Sequence, residues 1–143
     1  MRKATRNFTL FAFGFLLLFF YANNVQAQKA DDIIGQYYTP KKDGKIQLFK
    51  VGNHYAGKLI WGKSNRKDYK NPNAALRSRD LIGMVFLTNF IYDDGEYKNG
   101  KIYDPQSGKT YSSKMWLSNG NLKVRGFVAV SLLGRTEVFT RIP

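Results

Sequence analysis

The sequence has no cysteine and a single histidine, His54. The first absence excludes disulfide bonds, a thiol nucleophile and any thiolate metal site, and the second excludes a multi-histidine metal centre. Acids are scarce as well, ten against 23 Lys and Arg, for a formal net charge of +13. No paired carboxylates, catalytic triad or metal signature stands at a recognisable spacing. The sequence therefore predicts no enzyme, no cofactor and no metal.

Only one long hydrophobic run is present, over residues 8–21. Arg2, Lys3 and Arg6 precede it, and Val25-Gln26-Ala27 follows as a small-residue cleavage pattern. The run is interrupted by Gly14 and falls short of the roughly 20 residues that span a bilayer comfortably. It reads as a signal peptide over residues 1–27. The bulky stretch Phe15-Leu16-Leu17-Leu18-Phe19-Phe20 favours a retained anchor as the alternative. Either way residues 28–143 are expected outside the cytoplasm, periplasmic or secreted. Cleavage after Ala27 removes three bases and no acid, so the mature domain keeps a net charge of +10. Such a surface suits anionic lipid or polysaccharide. Nucleic acid is not expected, because export separates the chain from it.

Beyond Ala30, short apolar stretches are bounded by Gly, Asn, Asp and Pro at spacings near ten residues, the pattern of an antiparallel meander. Strands are expected over 33–39, 45–51, 54–61, 81–92, 101–104, 109–117, 122–130 and 136–142. In 54–61 the alternation puts Tyr55, Leu59 and Trp61 on one face, and 81–92 is apolar on both faces. Residues 62–79 read as a long polar loop with a helical turn at 73–76. No linker or repeat divides the chain, so residues 28–143 form one domain. About eight strands without a crossover helix predict an all-β fold, a small antiparallel up-and-down barrel that removes its own edges.

Four ordered groups carry a resemblance. They are Asp68, Asn71-Pro72 and Leu76-Arg77-x-Arg79-x-Leu81-x-Gly83; Gly100-x-Ile102-Tyr103-Asp104-Pro105-x-x-Gly108-Lys109-Thr110-Tyr111; Leu122-x-Val124-Arg125-Gly126-Phe127; and Ser131-Leu132-Leu133-Gly134-Arg135-Thr136. Together they resemble a family of small exported bacterial proteins known only as a domain of unknown function, with Tyr97 where the family pattern takes Trp. The resemblance covers residues 33–141 and implies a calycin-like, or lipocalin-like, barrel without an established activity. Gly35-Gln36-Tyr37 is similar to the Gly-x-Trp of lipocalins, whose ring is covered by an arginine near the chain's end. Arg141 or Arg135 would supply that cover here, as a cation–π contact.

Function must be sought in the site rather than the fold. Arg77 and Arg79, if extended, would point to one side and could hold a carboxylate or phosphate at a pocket mouth; the simpler reading pairs them with Asp68 or Asp80. Arg125 is inside or outside the barrel depending on which face of 122–130 is the wall. The cluster around Asp104, Lys109 and Tyr111 reads as hairpin chemistry before acid–base chemistry. His54 reads as a surface residue, and Trp61 and Trp116 as core or rim aromatics. The expected function is capture of an apolar or amphipathic anionic small molecule by a monomer. Its apolar part would lie against Met84, Phe86, Trp116 and Val128, and its head near Arg125, Arg77 or Arg79. The alternative is a cell-envelope protein contacting anionic lipid or polysaccharide through its basic surface.

Overall fold

The computed structural model describes residues 28–143; the expected signal peptide and cleavage pattern, residues 1–27, lie outside the described residues. Eight strands follow one another: β1 (Gly35–Tyr38), β2 (Gly44–Val51), β3 (His54–Gly62), β4 (Val85–Asp93), β5 (Glu96–Asp104), β6 (Lys109–Ser118), β7 (Asn121–Phe127) and β8 (Arg135–Arg141). Each pairs antiparallel with the next. β8 returns to β1 with Tyr37 opposite Arg141, which closes the barrel in sequence order. Closure leaves no strand edge exposed.

Strand alternation sends one residue in two inward. Leu48 faces Gly57, Leu87 faces Ile102, Met115 faces Val124 and Leu122 faces Phe139 across the ladders. Glycines make room for the largest of the inward side chains. A Cβ on Gly57 would lie 2.9 Å from Leu87 Cδ1, and one on Gly100 would lie 2.2 Å from the Phe90 ring. Leu87 and Phe90 are fully buried, as are Tyr37, Leu48, Tyr97 and Met115. At this level the barrel is packed with side chains.

Several expected strand limits are corrected. The apolar segment at 81 does not enter the sheet at once. Leu81 and Met84 are buried in a turn, Gly83 takes φ +90°, and β4 begins only at Val85. An extra residue at Ile60 shifts the register between β2 and β3 and pairs Trp61 with Lys45 on the outside, away from Tyr55 and Leu59. β5 starts at Glu96, earlier than expected, because Lys98, Asn99 and Lys101 are polar residues around a bulge whose inward positions are Tyr97 and Gly100. β7 stops at Phe127, since Ala129 adopts φ +65° and the chain leaves the sheet. Ile33 belongs to a 3-10 helix over Ala30–Ile33, ahead of β1.

That helix plugs one end of the barrel. Tyr37 Oη donates to the Ile33 carbonyl at 2.7 Å and Tyr97 Oη to the Ala30 carbonyl at 2.6 Å. Tyr55 and Tyr97 pack edge to face with centroids 5.0 Å apart. The Arg141 guanidinium lies 4.9 Å over the Tyr37 ring and donates to its hydroxyl at 2.6 Å. Arg141, not Arg135, thus supplies the expected cover. Gly35 is required here by close approach, because a Cβ would sit 2.9 Å from Arg141 Nη1. The opposite, loop end carries the connections 39–43, 63–84, 105–108 and 128–134.

Candidate functional site

With one end plugged by the helix and its tyrosines, the loop end is where a ligand could enter. Its largest connection, 63–84, is tied down by Asp68. This carboxylate is fully buried and accepts from Tyr103 Oη at 2.6 Å, Arg79 Nη2 at 2.7 Å and Asn71 Nδ2 at 2.8 Å. Burial pushes the Asp68 carboxyl up, but the three hydrogen bonds and the Arg79 charge together outweigh burial and hold it below the usual carboxylate range. Burial, with the carboxylate it serves, pushes the Tyr103 phenol up to about 12.

The backbone joins the same knot. Asn71 Oδ1 accepts from the Asn73 amide at 2.8 Å, and Asn73 in turn caps the short helix Ala74–Leu76, where a helical turn was expected. Arg77 Nε donates to the Asn71 carbonyl at 2.8 Å. The loop then rests on the β5–β6 turn, where a Cβ on Gly108 would lie 2.0 Å from the Lys70 carbonyl oxygen. Gly108 also takes φ +72°, and Asp104 accepts from the Gln106 amide and Ser107 hydroxyl, as a hairpin turn requires.

Beside the knot lies a depression of about 460 Å³ lined by Arg79, Asp80, Ile82, Gly83, Met84 and Val85. Arg79 Nε is buried and has no hydrogen-bond partner among the described residues. Its guanidinium is therefore only partly committed: Nη2 serves Asp68 while Nε has no acceptor. A buried donor left so costs about 1–3 kcal/mol unless something supplies an oxygen.

The residues proposed from sequence are thus partly brought together. Arg79 and Met84 line the depression, and Phe86 follows on β4, half-buried against the core. Arg77 and Arg79 do not share an extended face; Arg77 caps the short helix and Arg79 pairs with Asp68. Arg125 is outside the barrel, opposite Lys114 and Thr136. Its guanidinium donates to the Ser131 and Leu132 carbonyls and, at 2.8 Å, to Thr136 Oγ1, so it shapes the 128–134 connection. Trp116 is also outside, half-buried, with Lys114 Nζ 5.5 Å from its ring. His54 is exposed at the start of β3. Sequence reasoning missed Tyr103 as a partner of Asp68, although both stood in motifs quoted for the resemblance.

The profile of the family described as "Uncharacterized protein conserved in bacteria (DUF2147)" matches residues 35–141. The chain belongs to this family. In this DUF2147 chain the motif residues Asp68, Asn71, Arg79, Tyr103 and Gly108 are those that fasten the long loop to the barrel. Among solved structures, protein HP1028 from the human pathogen Helicobacter pylori, described as belonging to the lipocalin family, is similar. The identity is 28% and the TM-score 0.70, over 77% of this chain and 82% of that one. No curated protein matches. Among the described residues no group of three or more His, Asp or Glu side chains is placed to hold a metal ion.

Proposed function

We propose that this DUF2147 protein is a non-enzymatic binding module that takes a small anionic amphiphile at the loop end of its barrel. One observation carries the reading: Arg79, held to Asp68 through Nη2 yet 37% exposed in its side chain, lines the depression together with Met84 and Val85. A ligand carboxylate or phosphate would pair with the exposed part of the Arg79 guanidinium, and an acyl or aryl part would cover Val85, which is 43% exposed. The similarity to a structure described as a lipocalin supports small-molecule binding in general. The packed interior limits the ligand to the mouth, so a shallow site is expected rather than an enclosed cup.

The basic, acid-poor composition supports an anionic ligand, since cations outnumber the carboxylates that could satisfy them. The leader in the sequence supports work outside the cytoplasm, in the periplasm or beyond it. Native mass spectrometry of the exported protein purified from its own host tests the reading. An added mass that is released by denaturation and identified as an organic acid is expected. The bare polypeptide mass, with an empty solvent extract, would contradict it.

A further inference from the structure

The connection 128–134 at the loop end carries four large aliphatic side chains in the open: Val128 is 68% exposed, Val130 53%, Leu132 85% and Leu133 77%. Single exposed aliphatics are ordinary, but four within six residues at one tip form a contiguous apolar patch of the kind that marks a docking surface. The tip is not loosely held. Arg125 grips the Ser131 and Leu132 carbonyls from below, and the Ser131–Leu133 turn presents Leu132 and Leu133 outward. We infer that this tip inserts into the surface of a lipid bilayer rich in anionic headgroups.

Charge decides the occupant. The basic residues gather at the same end of the barrel: 63–84 holds Lys63, Arg66, Lys67, Lys70, Arg77 and Arg79 against Asp68 and Asp80. Lys41 and Lys42, against Asp43, add to them from the 39–43 turn, and Arg135, paired with Glu137 at 2.6 Å but 86% exposed in its side chain, flanks the apolar tip itself. Asp104 and Glu137 bring the acids of the loop end to five, fewer than its bases, whereas at the plugged end the other five, Asp31, Asp32, Asp93, Asp94 and Glu96, nearly offset Lys29, Lys50, Lys98, Lys114, Lys123 and Arg141. The molecule is thus polarised, with apolar tip and positive charge on one end. An aliphatic tip ringed by cations matches an acyl boundary beneath anionic headgroups, where apolar burial and electrostatic attraction add. Gln28 enters beside Tyr92 and Tyr97 at the plugged end. A retained leader would therefore tether the barrel by the end opposite the tip. This inference does not rest on ligand capture, and either can fail alone.

Vesicle flotation of the purified exported protein tests it, with vesicles of phosphatidylglycerol and phosphatidylcholine in equal parts and vesicles of phosphatidylcholine only. The expected result is flotation with the anionic vesicles, weakened by high salt. Leu132→Ser/Leu133→Ser should lose about tenfold or more in partitioning while melting like wild type. Arg135→Gln should weaken binding, and Lys123→Gln, an equal charge change near the plugged end, should not. Failure of the wild type to float with anionic vesicles, or unchanged flotation of the double leucine variant, would overturn the inference. So would a wild-type dimer that the leucine substitutions dissociate, because the tip would then be a self-contact.

Discussion

Tyr103 on β5 donates its phenol hydrogen to the Asp68 carboxylate at 2.6 Å, joining residues 35 positions apart across the mouth of the barrel. Arg79 and Asn71 complete the shell around that carboxylate, so the fate of the loop 63–84 depends on one acid. Asp68→Ala should cost about 2–4 kcal/mol, because it strands three donors at once. Tyr103→Phe should cost about 1 kcal/mol, since two donors to the carboxylate remain. Urea denaturation of the three proteins checks the order.

The same acid sets a pH response. Its carboxyl lies below the usual value of 3.8 in the folded state, so its contribution is present above that value and is lost as pH falls through the lower folded one. Tyr103 acts at the other limit: its folded value is raised to about 12, so its contribution is full below 10.0 and lost as pH rises toward 12. Thermal melts across acid pH should show a steeper loss for wild type than for Asp68→Asn, which has no carboxyl to protonate there. Equal slopes would show that the knot does not govern acid stability.

Gly100 and Phe90 form a size-matched pair inside the barrel. A Cβ at position 100 would lie 2.2 Å from the ring, so Gly100→Ala must displace a fully buried phenylalanine and should cost about 1–3 kcal/mol or more. Reducing the ring with Phe90→Leu should recover part of that loss in the double variant. A double-mutant cycle reads the coupling, and additive losses would contradict the packing described.

Arg141 holds the plugged end through the Tyr37 ring and hydroxyl and through backbone carbonyls that include Gly120 and Asp32. Arg141→Met keeps the stem and removes the charge; about 2 kcal/mol of destabilisation is expected. Proteolysis should then begin near residues 28–34, where the short helix is no longer pinned. N-terminal sequencing of the exported wild type checks the leader separately: Gln28 is expected as the first residue, and Met1 on the exported product would contradict cleavage.

Much of the barrel was readable because turn chemistry is local. Asp104-Pro105 with Gly108, Ser118-Asn119-Gly120-Asn121 and the short helix after Asn73 declare themselves within a few residues, and alternation between them implies strands. The Tyr37 and Arg141 contact was legible through the resemblance to lipocalins. What escaped depended on tertiary packing. The bulges at Ile60 and Asn99 reverse the alternation that assigns faces, and this put Trp61 outside and hid half of β5. The apolar run at 81 reads as strand because burial in a turn and burial in a sheet demand the same side chains. Val128 and Val130 continue the pattern of β7, yet the positive φ of Ala129 takes them out to solvent. The Arg79 Nε was invisible in the sequence, since its lack of an acceptor depends on how Asp68 divides its oxygens among Tyr103, Asn71 and Arg79.

Displacement of a dansyl-labelled fatty acid from the exported protein measures capture at the loop end directly. Saturable binding in the micromolar range is expected, competed by unlabelled fatty acid. Val85→Glu adds a negative charge at an exposed position beside Arg79 and should weaken binding about tenfold without loss of stability. Arg79→Lys keeps a cation near Asp68 but removes the forked guanidinium that could serve Asp68 and a ligand together, and it should weaken binding to a similar extent. Absence of saturable binding, or equal affinity in wild type and both variants, would contradict capture at this site.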